Sequence, residues 1–438
     1  MKIARLPIND LTNGWSRILP HREPKAALEA DLVADWIVVG GGYAGLAAAR
    51  RLAENRPDEK VVLLEAGICG ENASGRNSGF AIDLPHTTSS SLDELDGAHR
   101  YLRLARAAID QLSTLVERHR IQCDWSREGK YQAAVTERGS KEMLEPFARE
   151  LAALNEPYEW VEADVLKEKL GTAHFHRAVY TPGCILMNPA ALTRGLADSL
   201  PENVALHENT PVMEVVYANG VEVKTPRGSV RAPRMILGTN GFSEQFGVLQ
   251  GKFVHLAVHA SLTRPLTEAQ QRAYGVAKPW GLTPCNAVGG ITMRYTQDHR
   301  ILIRQTIELA MGQRVTQARQ DNRARLHKKL MDERFPALRD VEMEHTWTGF
   351  VCVSRNGAPA FGRAGPGVWT AACQNAIGVT KGTIGGTLAA DMACERENPL
   401  IADMLSLGEP SDIPPRPLTE IGARVKLGWE VWRNRHEA

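Results

Sequence analysis

The sequence predicts an α/β chain: a Rossmann-like domain joined to a second α+β domain built on an antiparallel sheet. Three observations lead there. Residues 35–65 hold strand, glycine-rich turn, helix and second strand in unbroken order. Strand-rich stretches return later, at Phe253 to Leu262 and Gly290 to Ile303. The chain has 438 residues, enough for two or three domains with their own cores.

The first unit is justified residue by residue. Trp36-Ile37-Val38-Val39 reads as a buried parallel strand, and Gly40, Gly42 and Gly45 then form G-x-G-x-x-G. The first glycine permits the bend, the second admits a pyrophosphate to the backbone, and the third lets the helix pack on the strand. That helix, about Tyr43 to Glu54, turns Ala49 and Leu52 to the sheet. Tyr43 and Ala44 fall in its first turn, where free N–H groups and the dipole favour an anion. Val61 to Leu64 is the second strand, and it ends at Glu65, where a carboxylate accepts hydrogen bonds from ribose. Together these parts specify a dinucleotide site.

Further along, apolar spacing predicts helices over His99 to His119 and Lys141 to Leu154, and Gln313 to Phe335 reads as a long, highly charged helix ended by Pro336. Gly129 to Val135 alternates like a strand. Val204 to Leu206, Val212 to Tyr217 and Val221 to Lys224 read as strands, the last two joined by an Asn219-Gly220 turn. Arg234 to Thr239 and Val368 to Ala372 are short buried strands, and Gly382 to Glu395 is a Gly/Ala-rich helix. Residues 1–34 read as a polar, proline-punctuated leader on the surface.

Composition excludes several classes. Net charge is +1, with 43% hydrophobic and 24% charged residues, so no nucleic-acid partner is expected. The seven cysteines are scattered without C-x-x-C, which argues against a metal site, a disulfide framework or a dithiol centre. No apolar run is long enough to span a bilayer and no secretory signal opens the chain, so a cytoplasmic location is expected.

Gly70-Glu71-Asn72-Ala73-Ser74-Gly75-Arg76-Asn77-Ser78-Gly79-Phe80 follows the second strand closely. So many small and amide residues beside one Arg suit a pyrophosphate or a flavin ring. Here the chain resembles the D-amino acid oxidase-like family of FAD enzymes, most closely its gamma-glutamylputrescine oxidase branch. Four further segments are similar in family order. They are Ile236 to Phe242, Arg294 to Ile303, Trp347-Thr348-Gly349 with Arg355 to Gly362, and Ala371 to Gly386. Two positions depart from it: the closing turn lacks the Gly-x-x-Gly-His-Gly form, and Arg304-Gln305 replaces a Gly pair.

The resemblance implies a glutathione reductase-type FAD domain from residues 30–98, 185–250 and 345–400. Residues 99–184 and 251–344 would form the substrate domain, between the 1–29 leader and a 401–438 extension. It adds Ala66, Ser74, Gly75, Arg76, Asn77, Ser78, Gly79, Val212, Asn240 and Gly241 to the cofactor set. Gly378, Val379, Thr380, Lys381, Gly382 and Thr383 would bring a helix end and an ammonium to the flavin. FAD is expected to be non-covalent, because Cys352 is offset from the cysteines that hold flavin in some relatives.

Three residues are assigned to catalysis. Arg304 can pair bidentately with a substrate carboxylate, or form a structural ion pair. Lys381, placed just before a helix starting near Thr383, would stabilise charge on the reduced flavin. His259, alternating with apolar neighbours, would point over the flavin. Arg294 reads as structural.

The implied reaction oxidises a C–N bond in a small amine or amino acid by hydride transfer to flavin N5. The electrons pass on to oxygen or an electron carrier. Alternatives are a 2-hydroxy acid or polyol dehydrogenase, or a flavin-carrying subunit. An NAD-linked or disulfide reductase would need a second dinucleotide unit or a cysteine pair. The Trp- and Arg-rich Ile421 to His436 is expected to dock on the protein itself or on a sister subunit in a homodimer, with an interfacial membrane helix as the alternative.

Overall fold

The computed structural model describes residues 1–8, 10–85, 92–286 and 288–437, with only the backbone at 92–94. Two sheets carry the molecule. The first orders its strands Ala360–Gly365, Val368–Ala372, Arg234–Leu237, Trp36–Val39, Val61–Leu64, Val204–His207, and only the Ala360–Gly365 edge is antiparallel. Each central strand is buried on both faces, as parallel strands between two layers must be. Trp36, Val38, Val61 and Leu63 face the helices Tyr43–Asn55 and Gly378–Ala393. Ile37, Val39, Val62 and Leu64 face a four-stranded sheet made of Leu32–Val33, Ser229–Ala232, Gly220–Lys224 and Glu214–Ala218.

The second sheet has eight strands. In spatial order they are Met343–Ser354, Phe253–Thr263, Ile301–Leu309, Thr292–Tyr295, Trp280–Pro284, Lys130–Ala134, Arg177–Thr181 and Glu159–Glu162. It is antiparallel except where Trp280–Pro284 meets Lys130–Ala134. Its outer face is covered by Gln317–Arg334, whose Leu330 and Met331 pack with Ile303 and Met293. The Met343–Ser354 strand, which crosses the expected boundary at 345, pairs wholly within this sheet.

Several local expectations change. Val204–His207 does not join the strands that follow it but extends the first sheet beside Val61–Leu64. Its exit is bent by Asn209 at φ 51° and by the buried Glu208, whose carboxylate takes the N–H groups of Lys25 and Cys69. The helix read over Lys141 to Leu154 carries a π-helical turn at Ser140–Leu144. The leader is not a surface wrap. Ile3 joins the core beneath the first sheet, and Trp15 is buried edge-on against Trp347, ring centroids 6.4 Å apart.

Candidate active site

The glycine-rich turn is built so tightly that side chains cannot enter it. Gly40 has φ +103°, and a Cβ there would lie 2.8 Å from Gly238 O. A Cβ on Gly45 would lie 1.7 Å from Gly40 O, so the helix touches the strand through that glycine. Glu65 then fastens the turn from the next strand. Its carboxylate accepts the N–H groups of Gly41 at 2.6 Å and Gly67 at 2.9 Å. Burial pushes the Glu65 carboxyl up, and those N–H groups oppose the shift.

An open-sided slot runs from this turn toward the second sheet. Of the expected cofactor residues, Gly40, Gly42, Glu65, Ala66, Ser74, Arg76, Val212 and Asn240 line it. The Ser74 hydroxyl accepts the Tyr43 N–H at 3.2 Å, at the end of the helix where an anion would sit. Tyr43, Ala44 and Gly45 supply that helix end rather than a wall.

Arg76 closes the far end. It donates to Glu71 O at 2.6 Å and Thr348 O at 2.9 Å, and it pairs with Asp10. The indoles of Trp15 and Trp347 hold the same segment through Asn77 O and Arg76 O, at 2.9 and 3.0 Å. Asn77 turns inward: its amide donates to Ser74 O and its carbonyl accepts the Gly79 N–H. Ser78 and Gly79 offer their carbonyls to Arg294, so Gly75 and these residues shape the segment without lining the slot. Asn240 accepts the Cys373 N–H at 3.0 Å and the Cys352 thiol at 3.2 Å, while Gly241 packs against the His255 ring.

The three catalytic assignments fare differently. Arg304 lies opposite Ala260 and Thr292, on the face whose Leu302 packs with Trp15 and Trp347, so it looks toward the nucleotide domain. Burial pulls its guanidinium down to about 10.

Lys381 does not precede its helix. The helix begins at Gly378, and Lys381 sits in its first turn with Nζ over the Tyr101 ring, 5.1 Å from the centroid. Burial pulls this ammonium down to about 8. The early start follows from the preceding turn, where Cys373, Asn375 and Ala376 all have positive φ. Asn375 locks that turn, accepting the Ser354 N–H and donating to Gly357 O. Left-handed backbone here thus rests on three non-glycine residues. Gly378 to Thr383 lie beside the nucleotide helix: a Cβ on Gly382 would stand 3.3 Å from that of Tyr43.

His259 does not point over the slot. Unbroken alternation along its strand puts it on the same face as Ser261, which bonds His327 of the outer helix. Its ring bridges Glu308 and Thr348, both at 3.0 Å, and these in turn take Arg323 and Gln320 of that helix. Burial lowers its pKa against the pull of Glu308. Alternation groups His259 with Ser261 but does not say which face of the strand looks to the slot; the bulge sits in the neighbouring strand, at Thr306.

The other wall of the slot was missed altogether. Ile3, Arg5, Leu6, Pro7 and Ile8 of the leader line it, with Gln313 and Phe350 at the far end. The segment is pinned by main-chain bonds from Ile3 to Met213 and by the Gln245 amide, which bonds both N–H and C=O of Arg5 at 2.6 Å. Asn13 ties the next turn to Gly70 O and Gly75 O. The available signal was Trp15: a large aromatic in a polar leader generally marks a buried contact.

These residues fit a flavin dinucleotide. There is a carboxylate at the ribose end, a side-chain-free turn and helix end for the pyrophosphate, and a pinned polar segment beyond. The family described as FAD dependent oxidoreductase (DAO) matches residues 35–392. The chain is similar to a probable oxidoreductase, OrdL, of Haemophilus influenzae, 28% identical over 380 residues that cover 82% of each protein. It is similar to the gamma-glutamylputrescine oxidoreductase of Escherichia coli, 26% identical over 384 residues, 84% of this chain and 85% of the other. Among solved structures, glycine oxidase from Geobacillus kaustophilus superposes with a TM-score of 0.69 at 20% identity, over 84% of this chain and 96% of that one. L-proline dehydrogenase from P. horikoshii gives 0.69 at 16% identity, over 89% and 100%.

Proposed function

The chain belongs to the FAD-dependent oxidoreductase family, and from that premise we propose that it oxidises a C–N bond in a small amine or amino acid. One observation carries the substrate class: a half-buried guanidinium, Arg304, on the face of the large sheet that looks toward the nucleotide domain. Such a group suits a carboxylate, which it holds in two parallel bonds. The names of the relatives support the amine reading: they act on gamma-glutamylputrescine, glycine and L-proline.

Bound FAD, held without a covalent link, supplies a two-electron acceptor, so that loss of hydride from the carbon next to nitrogen leaves an imine that water hydrolyses to an aldehyde or keto acid. The protein's share is binding, orientation and charge. Glu65 takes the ribose hydroxyls, and Gly40, Gly42 and the helix end at Tyr43 and Ala44 take the pyrophosphate. Arg76 and Asn240 border the flavin end. Arg304 fixes the substrate carboxylate and so limits the orientations of the carbon beside it. The first turn of Gly378–Ala393 and Lys381 add positive potential where negative charge develops. Partial burial lowers the Lys381 ammonium to about 8, so it still carries its charge at neutral pH.

The test is anaerobic addition of amines, amino acids and 2-hydroxy acids to the FAD-loaded protein, following the visible flavin absorption. Bleaching by an amine or amino acid is expected. Bleaching by hydroxy acids alone would replace the amine assignment with alcohol oxidation. Recovery on admitting air, compared with recovery on adding a dye, distinguishes oxygen from an electron carrier as the acceptor.

A further inference from the structure

The helix Leu418–Arg433 lies beyond the residues that the family covers, and it leaves one face bare. It is tied down at both ends. Before it, Lys252 pairs with Asp412 at 2.7 Å and the Ile413 N–H bonds Gly251 O at 2.9 Å. After it, the buried Glu437 carboxylate accepts the N–H groups of Val135 at 2.7 Å and Thr136 at 3.1 Å. Between these ties it lies against the Ile301–Leu309 strand of the large sheet.

The outward face is amphipathic in an unusual sense. Leu418, Ile421, Val425, Trp429 and Trp432 are between 55% and 68% exposed and form one stripe at helical spacing. The two indoles stack with centroids 5.0 Å apart. Arg416, Arg424, Lys426, Arg433 and Arg435 stand exposed around that stripe. The two acids of the helix are turned the other way and half-buried: Glu420 pairs with Arg416, and Glu430 accepts from the Asn434 amide. An apolar stripe this long is rare on a soluble surface unless something covers it.

We propose that this helix seats the protein on the surface of an anionic lipid bilayer, lying in the plane of the headgroups. Indoles favour that depth, where the ring is apolar and its N–H stays wet, and a basic fringe is drawn to anionic headgroups. The charges disfavour a second copy as the occupant. Two-fold pairing of the stripe sets basic fringe against basic fringe, with both acids facing inward, whether the helices run parallel or antiparallel. The proposal stands apart from the choice of substrate.

The experiment is flotation of the FAD-loaded full chain with vesicles of phosphatidylglycerol and, separately, of phosphatidylcholine. Binding to phosphatidylglycerol only, released by high salt, is expected. Trp429→Ser/Trp432→Ser and, separately, Arg424→Glu/Lys426→Glu should each lower the bound fraction about tenfold or more. Their visible flavin spectra should be unchanged, which certifies the fold. No flotation of the unaltered chain, equal flotation with both lipids, or binding indifferent to these changes overturns the proposal. So does a concentration-dependent dimer that the Trp pair abolishes in a chain that ignores lipid; that result identifies a second copy as the occupant.

Discussion

At the scale of the residue, one carboxylate fastens the turn and lines the slot. Glu65 accepts N–H groups of Gly41 and Gly67 there, and in the proposed function the same charge meets the ribose. Glu65→Gln exchanges that charge for an amide and puts a donor among donors. Charge-assisted bonds contribute about 1.5–3 kcal/mol each, so FAD should bind about 10- to 100-fold more weakly. Quenching of flavin fluorescence on titration measures this, and an unchanged affinity removes Glu65 from the ribose. Arg304→Lys tests the other end. A lysine keeps the charge but loses the two-pronged grip, so KM for a carboxylate-bearing substrate should rise about tenfold while kcat changes little. If KM is unmoved, Arg304 belongs to the architecture. Glu65 was legible as a slot residue because it ends the strand that follows the glycine-rich turn. The direction of His259 was not, because alternation pairs it with Ser261 without saying which face meets the outer helix.

At the scale of the element, the glycine-rich turn and its flanking strands announce themselves, since a period-free apolar run and three glycines have few other uses. The leader does not. Its contacts with the slot depend on single long-range bonds, such as Arg5 to Gln245 and Asp10 to Arg76, which leave no local pattern. Burial raises the Asp10 carboxyl, but Arg76 and the Thr12 N–H and hydroxyl together bring it below its ordinary value. Asp10→Ala should therefore free the leader and raise the rate of FAD release, measured by mixing with an excess of an apoprotein that binds FAD tightly; an unchanged rate would mean the leader does not retain the cofactor. The outer helix Gln317–Arg334 offers a pH test. His327 is fully buried between Ser261 and Gln305 O, and burial holds it at about 4 against an ordinary 6.5. The unfolded chain takes up this proton as pH falls below about 6.5, and the folded chain only near 4. Stability is thus whole above that window and falls through it, by up to about 3 kcal/mol for a shift of this size. His327→Asn should flatten the fall in urea midpoint between neutral and acid pH; an equally steep fall assigns it to other groups.

At the scale of the whole molecule, the two sheets were foreseeable but their fastening was not. Strand type follows from runs and alternation, whereas the joint between sheets rests on a few side chains far apart in sequence. Arg294 is the clearest of them. Buried beside Trp15 and Phe80, it donates from one nitrogen to Ser78 O, Gly79 O and Met187 O, tying the large sheet to the segment that shapes the slot. Burial opposes its charge, drawing it down to about 10, so the three carbonyls must hold it there. Arg294→Met keeps much of the volume but strands those carbonyls without a donor, which should cost about 2–5 kcal/mol. Arg231→Met, which breaks only the exposed pair with Glu222, should cost under about 1 kcal/mol and serves as the control. The decisive reading is whether FAD affinity falls with stability. Arg294 does not line the slot, so a joint loss means that the fastening between sheets sets the shape of the cofactor site. Loss of stability alone means that Arg76, Trp15 and Trp347 hold that segment without it.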